Sequence, residues 1–278
     1  MKLPLICTLL LAGLTTTSSL AGPLPTLKEK GWTSFHAGFV GSGFEAGVDA
    51  KGQIALYFTP KKKERLNTSW PVEVKFRIER RTKGKEKWSY RKTQQDGFTS
   101  TGNVEFKQEK MEYVATATGD VKYKVTVKFN KSGMEISGEM VGKPKDADKA
   151  EYRLVLRSAM PSVMLGSSKY NEKELKSKTR GDEVRLEFKE EKGQKIRLYE
   201  VTDANKINAI FPKSIMLKAD KIGRKDLIWS MLDPKDKGAL ELEFKSSSNR
   251  FLDGFNITAI LVDEKGEQVS KGIKLDYD

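Results

Sequence analysis

Between Pro60 and Lys92 the sequence carries thirteen basic and four acidic residues, which is nine of the thirteen net positive charges in the whole 278-residue chain. Arg80, Arg81, Lys83, Lys85 and Lys87 crowd its centre, Lys75 and Arg77 precede them, and Trp88 and Tyr90 follow. Arginine grips carboxylate or sulfate with two parallel hydrogen bonds, and an exposed indole or phenol ring stacks on a sugar face. Such a stretch is suited to polyanions: uronate or sulfated polysaccharides, anionic wall polymers or lipid head groups. Its long-range attraction would fade with salt over a Debye length of about 8 Å. The same lysines would also serve simply to keep a sheet edge soluble.

Residues for other chemistry are few. His36 is the only histidine and Cys7 the only cysteine, so a multi-histidine metal site is excluded, and a Ser-His-Asp triad would have to be built around His36. Gly-x-Ser-x-Gly, a phosphate-binding glycine loop, a dinucleotide fingerprint, an EF-hand loop and His-Glu-x-x-His are all absent from the sequence. No catalytic residue, metal or cofactor is called for. Carboxylate pairs for glycoside hydrolysis meet in space rather than in sequence, and the 38 acidic residues single out none.

The N-terminus reads as an address. Met1 and Lys2 start a positive end, Leu3 to Leu14 are apolar, and small residues stand at Ser19 and Ala21, the order of a secretory signal peptide over residues 1–21. Its 12-residue apolar run is shorter than the roughly 20 needed to span a bilayer. No transmembrane segment is expected after cleavage. Cys7 would leave with the peptide, and the mature chain, secreted or periplasmic, would have no thiol.

Beyond it, period-two alternation dominates. In Val121 to Phe129, Val121, Tyr123, Val125, Val127 and Phe129 face one way, and Lys122, Lys124, Thr126 and Lys128 the other. Val72 to Glu79, Val184 to Lys189 and Ala239 to Lys245 follow suit, and eight further segments fit strands less sharply. Four turns share one chemistry, Asp49 to Gly52, Asn130 to Gly133, Glu190 to Gly193 and Asp263 to Gly266, each opened by an acceptor side chain and closed by glycine. Helical signal is confined to Lys169–Lys178, Asp203–Phe211 and Leu227–Leu232, the last with a buried strand as its alternative.

The expected fold is all-β, an antiparallel β-sandwich built from hairpins with few short helices in the second half. Polar residues 166–182 separate an N-terminal region, 22–165, from a C-terminal one, 166–278, as one continuous domain or two lobes. The expected role is non-catalytic binding of an acidic polysaccharide or anionic envelope surface through a Pro60–Lys92 hairpin, by a monomeric or weakly associating protein with no specific nucleic acid partner. A polysaccharide-active enzyme of lyase or glycosidase type is the first alternative. An envelope assembly protein pairing through an open sheet edge is the second.

Overall fold

The computed structural model describes residues 35, 37–49, 51–59, 71–89, 99–100, 105–107, 109–117, 120–161, 173–174, 177, 180–188, 192–198, 212–223, 225–233, 240–246, 252–269 and 271–278. Among the described residues seventeen strands form two antiparallel sheets packed face to face, so the chain is an all-β sandwich. The proposed signal peptide, His36, Tyr90 and the Asp203–Phe211 helix fall outside the described residues.

The seven-stranded sheet uses β1 (Ala37–Val40), β2 (Phe44–Val48), β3 (Ile54–Phe58), β4 (Val72–Thr82), β10 (Ala150–Pro161), β16 (Leu252–Val262) and β15 (Leu240–Ser246), in that spatial order. The ten-stranded sheet runs β12 (Gln194–Arg197), β11 (Glu183–Glu187), β13 (Ser214–Lys218), β14 (Leu227–Met231), β17 (Ile273–Tyr277), β9 (Gly133–Met140), β8 (Val121–Asn130), β7 (Lys110–Ala117) and β5 (Thr99–Ser100), with β6 (Glu105–Lys107) also on β7. Both sheets draw strands from either side of residues 166–182: β10 lies against β16, and β9 against β17.

Alternation decides which side chains are inside. Along β8 the five apolar positions are buried and the four between them face out, because a pleated strand sends successive side chains to opposite faces. Phe58 meets Tyr277 across the sandwich at 4.7 Å between ring centroids, Phe39 meets Phe129 at 5.4 Å, and Phe76 meets Tyr113 edge-on at 6.2 Å. Each aromatic contact of this kind adds about 0.5–1.5 kcal/mol beyond the area it buries.

The turn chemistry holds in the Asp49 and Asp263 turns. Asp49 Oδ1 accepts hydrogen bonds from the Lys51 and Gln53 amides at 2.8 and 2.9 Å, and Gly52 takes φ +74°. Asp263 repeats this with the Lys265 and Glu267 amides, and Gly266 takes φ +81°. In the Asn130 turn the side chain also caps two amides, but the glycine has another purpose: a Cβ on Gly133 would sit 1.9 Å from the Leu275 carbonyl oxygen. Glu190 and Glu191 lie outside the described residues.

Two short apolar runs take their place in the ten-stranded sheet. Leu227 to Met231 is the buried strand that stood as the alternative to a helix: Leu227, Trp229 and Met231 point inward, so the i, i+4 apolar pair reflects period two with an apolar outward residue, Ile228, between. Ser214–Lys218, unassigned from the sequence, is a strand whose Ile215 and Leu217 are fully buried.

Candidate binding site

Of the Pro60–Lys92 stretch, 60–70 and 90–92 lie outside the described residues, and β4 organises most of the remainder. Val72, Val74, Phe76 and Ile78 are buried in the sandwich, and Glu73, Lys75, Arg77 and Glu79 face out, as the alternation requires. The start of the expected hairpin is present, since the Lys85 amide donates to the Thr82 carbonyl at 2.9 Å and Ser89 bridges back to Arg80. β4 runs beside β3 on one side and pairs ten residues with β10 on the other, and its own chain returns at Ser89, which exchanges two backbone hydrogen bonds with Arg80 at 3.0 and 2.8 Å; Tyr90 to Lys92 lie outside the described residues.

That placement decides which cations are free. Lys75 is ion-paired with Glu73 at 2.6 Å. Arg80 donates to Tyr152 Oη at 3.1 Å and to Asp146 Oδ2 at 3.2 Å. Burial pushes the Asp146 carboxyl up, but hydrogen bonds from Tyr152 and Arg80 outweigh it and leave the group below its ordinary range. Arg81 is paired with Glu151 and lies 3.7 Å from Glu264. Arg77 is half-buried with its Nε fully enclosed, beside Val155 of β10. Arg80 and Arg81 are committed to the protein's own carboxylates, so they are not the open grip that their types suggest.

Trp88 is half-buried because two guanidinium groups approach its ring, Arg81 at 4.4 Å and Arg153 at 4.3 Å from the centroid. Arg153 in turn donates to Glu79 through Nε at 2.7 Å and Nη2 at 2.6 Å. Each cation–ring contact is worth about 0.5–2 kcal/mol depending on its exposure. The indole is thus a clamp that fixes the end of β4 to β10, rather than a plate offered to a ligand.

Lys83, Lys85 and Lys87 remain exposed beyond this clamp and make no ion pair among the described residues. The Lys83 amide donates to the Lys149 carbonyl at 2.9 Å, which brings a fourth exposed lysine, absent from the sequence reading, to the same end of the sheet. The only signal that could have found Lys149 is the β4–β10 register, in which Thr82 lies opposite Ala150. Glu86 and Asp148 are the exposed acids interspersed with these four lysines.

Towards the other edge of the same face lies a balanced cluster. Arg157 is 3.9 Å from Glu243, and Asn256 donates to Glu243 at 3.1 Å. Glu241 is held above its ordinary pKa by burial, with Arg153 pulling against that rise. Arginine stems can cover apolar floor while their heads stay polar, which accounts for Val155 being only 1% exposed among Arg77, Arg153 and Arg157. Among the described residues, no group of three or more His, Cys, Asp or Glu is arranged to hold a metal ion, and no helix is long and apolar enough to cross a membrane.

No family model and no curated protein matches the sequence. Similar solved structures include a galactose mutarotase related enzyme from Lactobacillus acidophilus, 10% identical, covering 85% of this chain and 95% of that one with a TM-score of 0.48. They also include a glycoside hydrolase family 36 α-galactosidase from Geobacillus stearothermophilus, 11% identical, covering 87% of this chain and 40% of that one with a TM-score of 0.44.

Proposed function

We propose that the protein is an exported, non-catalytic β-sandwich that attaches to an acidic polysaccharide or anionic envelope surface through the lysine end of β4 and β10. The observation that carries this reading is the division of labour among cations. Arg80 and Arg81 are paired internally, and Lys83, Lys85, Lys87 and Lys149 project together into water. Lysine is a compact, strongly hydrated point charge, suited to loose, salt-sensitive attraction rather than to fixed two-pronged recognition. The contact is therefore with charge density and not with a particular sugar. Export rests on the order of charge, apolar run and small residues in 1–21.

The experiment is retention on heparin-type and alginate-type resins over a salt gradient. The unaltered chain should be held at low salt and released as salt rises, and the variant carrying Lys83→Ser, Lys85→Ser and Lys87→Ser should elute much earlier from both. Equal elution of the two proteins would remove the lysine end from the proposal.

A further inference from the structure

A second basic surface lies on the other sheet, assembled from strands far apart in sequence. β12 is the last strand of the ten-stranded sheet, and among the described residues nothing pairs with its outer side. Its register sets Lys195 opposite Arg185 and Arg197 opposite Glu183, and β11 in turn sets Glu183 opposite Lys218. Arg185, Lys195, Arg197 and Lys218 are all exposed on that face. The carboxylate in these two rows is Glu183, which is buried beneath Arg185 and Lys195 and bonded to both. Burial pushes the Glu183 carboxyl up, and its bonds to Lys195 and Arg185 more than offset this and keep it ionised. Glu187, in the next row, accepts a hydrogen bond from Ser214.

The backbone of this edge is oriented outward at alternate residues. The Leu198 amide donates to the Asp182 carbonyl at 3.1 Å, which makes 182 and 198 a hydrogen-bonded pair. In an antiparallel ladder such pairs alternate with non-bonded ones, so Lys195 and Arg197 turn their N–H and C=O groups away from β11. The opposite face of β12 carries Ile196 and the exposed Gln194. Ile196 packs against the core beside fully buried Val184, yet it is itself only half-covered.

We propose that β12 is a docking edge for an extended segment of a partner protein in which acidic and apolar residues alternate. A strand added here would hydrogen-bond to the outward main-chain groups, set its acidic side chains beside Lys195 and Arg185, two half-exposed cations that share one carboxylate and so keep a net positive charge, and lay its apolar ones over Ile196. Charge selects against a second copy of this chain. Antiparallel pairing of two β12 edges would put Lys195 and Arg197 against their own kind, and like charges directly opposed across strands are destabilising. The four-residue length and basic face of β12 also block indiscriminate pairing, and that same device favours an acidic strand.

The test is fluorescence anisotropy of a labelled short peptide alternating Glu and Val, titrated with the full chain. We expect saturable binding that weakens about tenfold or more in Lys195→Glu, because the substitution both removes an attraction and adds a repulsion. The lysine-end variant Lys83→Ser, Lys85→Ser, Lys87→Ser should bind the peptide normally, so this inference and the proposed function fail separately. A peptide of equal composition with Glu and Val in two blocks, and an alternating peptide N-methylated at every second residue, should both bind poorly. No binding by the alternating peptide, equal binding by either control, or displacement of the peptide by a heparin-type polymer at matched charge would overturn strand addition.

Discussion

Removing positive charge from the end of β4 should cost affinity without costing stability, and removing it two residues earlier should do the reverse. Lys83, Lys85 and Lys87 are exposed and unpaired among the described residues, so Lys→Ser at all three leaves the fold nearly unchanged, within about 0.5 kcal/mol per site. A lysine near an anionic surface contributes about 1 kcal/mol, so the triple variant should lose about 3 kcal/mol of attachment, roughly a hundredfold. If each lysine displaces a counterion, the slope of log affinity against log salt should flatten by about 2 to 3. Arg81→Ser, by contrast, breaks the ion pair with Glu151 and the contact with the Trp88 ring. The pair is partly buried and the cation–ring contact adds to it, so a loss of about 1–2 kcal/mol of stability is expected with affinity unchanged. Binding isotherms on an immobilised acidic polymer at four salt concentrations, beside urea melts of the same proteins, measure both quantities. Should Arg81→Ser weaken attachment as much as the lysine triple does, the division between structural and contact cations would be wrong.

Arg153→Ala should lower stability by roughly 2–4 kcal/mol in urea melts, since it leaves half-buried Glu79 without its partner and strips Trp88 of a cation. Gly133→Ala should cost at least about 2–3 kcal/mol, or stop folding, because its Cβ would collide with the Leu275 backbone at 1.9 Å; soluble yield and thermal melting report it. Glu112 is lowered from 4.5 to about 2, first by its hydrogen bond from Lys110, so its stabilising contribution is complete above the unfolded value and disappears as pH falls from about 4.5 towards 2. The Tm difference between Glu112→Gln and the unaltered chain should therefore shrink over that interval and be unchanged between pH 6 and 8. Glu241 is shifted the opposite way by burial, so folding disfavours its ionised form above the ordinary carboxylate range. Glu241→Gln should raise Tm at pH 7 and lose that advantage in acid.

Much of the sandwich was legible because its strands alternate cleanly. β8 and β4 each carry an unbroken polar and apolar register, and the Asp49 and Asp263 turns advertise their geometry through one side chain and one glycine. Legibility failed where a strand is apolar on both faces. Ile215, Met216 and Leu217 form a short run with no period, and Leu227, Ile228 and Trp229 form another, because the middle residue of each is only partly exposed. Short apolar runs of this kind do not distinguish strand from helix until a neighbour supplies the hydrogen bonds. β13 and β14 acquire theirs from each other and from β11 and β17.

The candidate site was harder for a reason specific to charge. Summing residues along the chain located the basic stretch, but neutralisation acts across strands. Arg81 is answered by Glu151, 70 residues away, and Arg80 by Asp146, 66 away. Those carboxylates belong to segments that look unremarkable in linear composition, so the excess of nine charges overstated the free cations on β4. The error also ran the other way. Arg185, Lys195, Arg197 and Lys218 never form a dense run, yet sheet registry gathers them around one buried carboxylate at the end of the sheet's described strand order. An antiparallel sheet brings residues to about 5 Å from partners whose sequence positions are unrelated. Electrostatic surfaces of β proteins are therefore set by register before they are set by composition, and a one-residue slip of β12 on β11 would turn Lys195 and Arg197 toward the core and Ile196 into water. The apolar anchor that Ile196 finds beside Val184 is what forbids that slip.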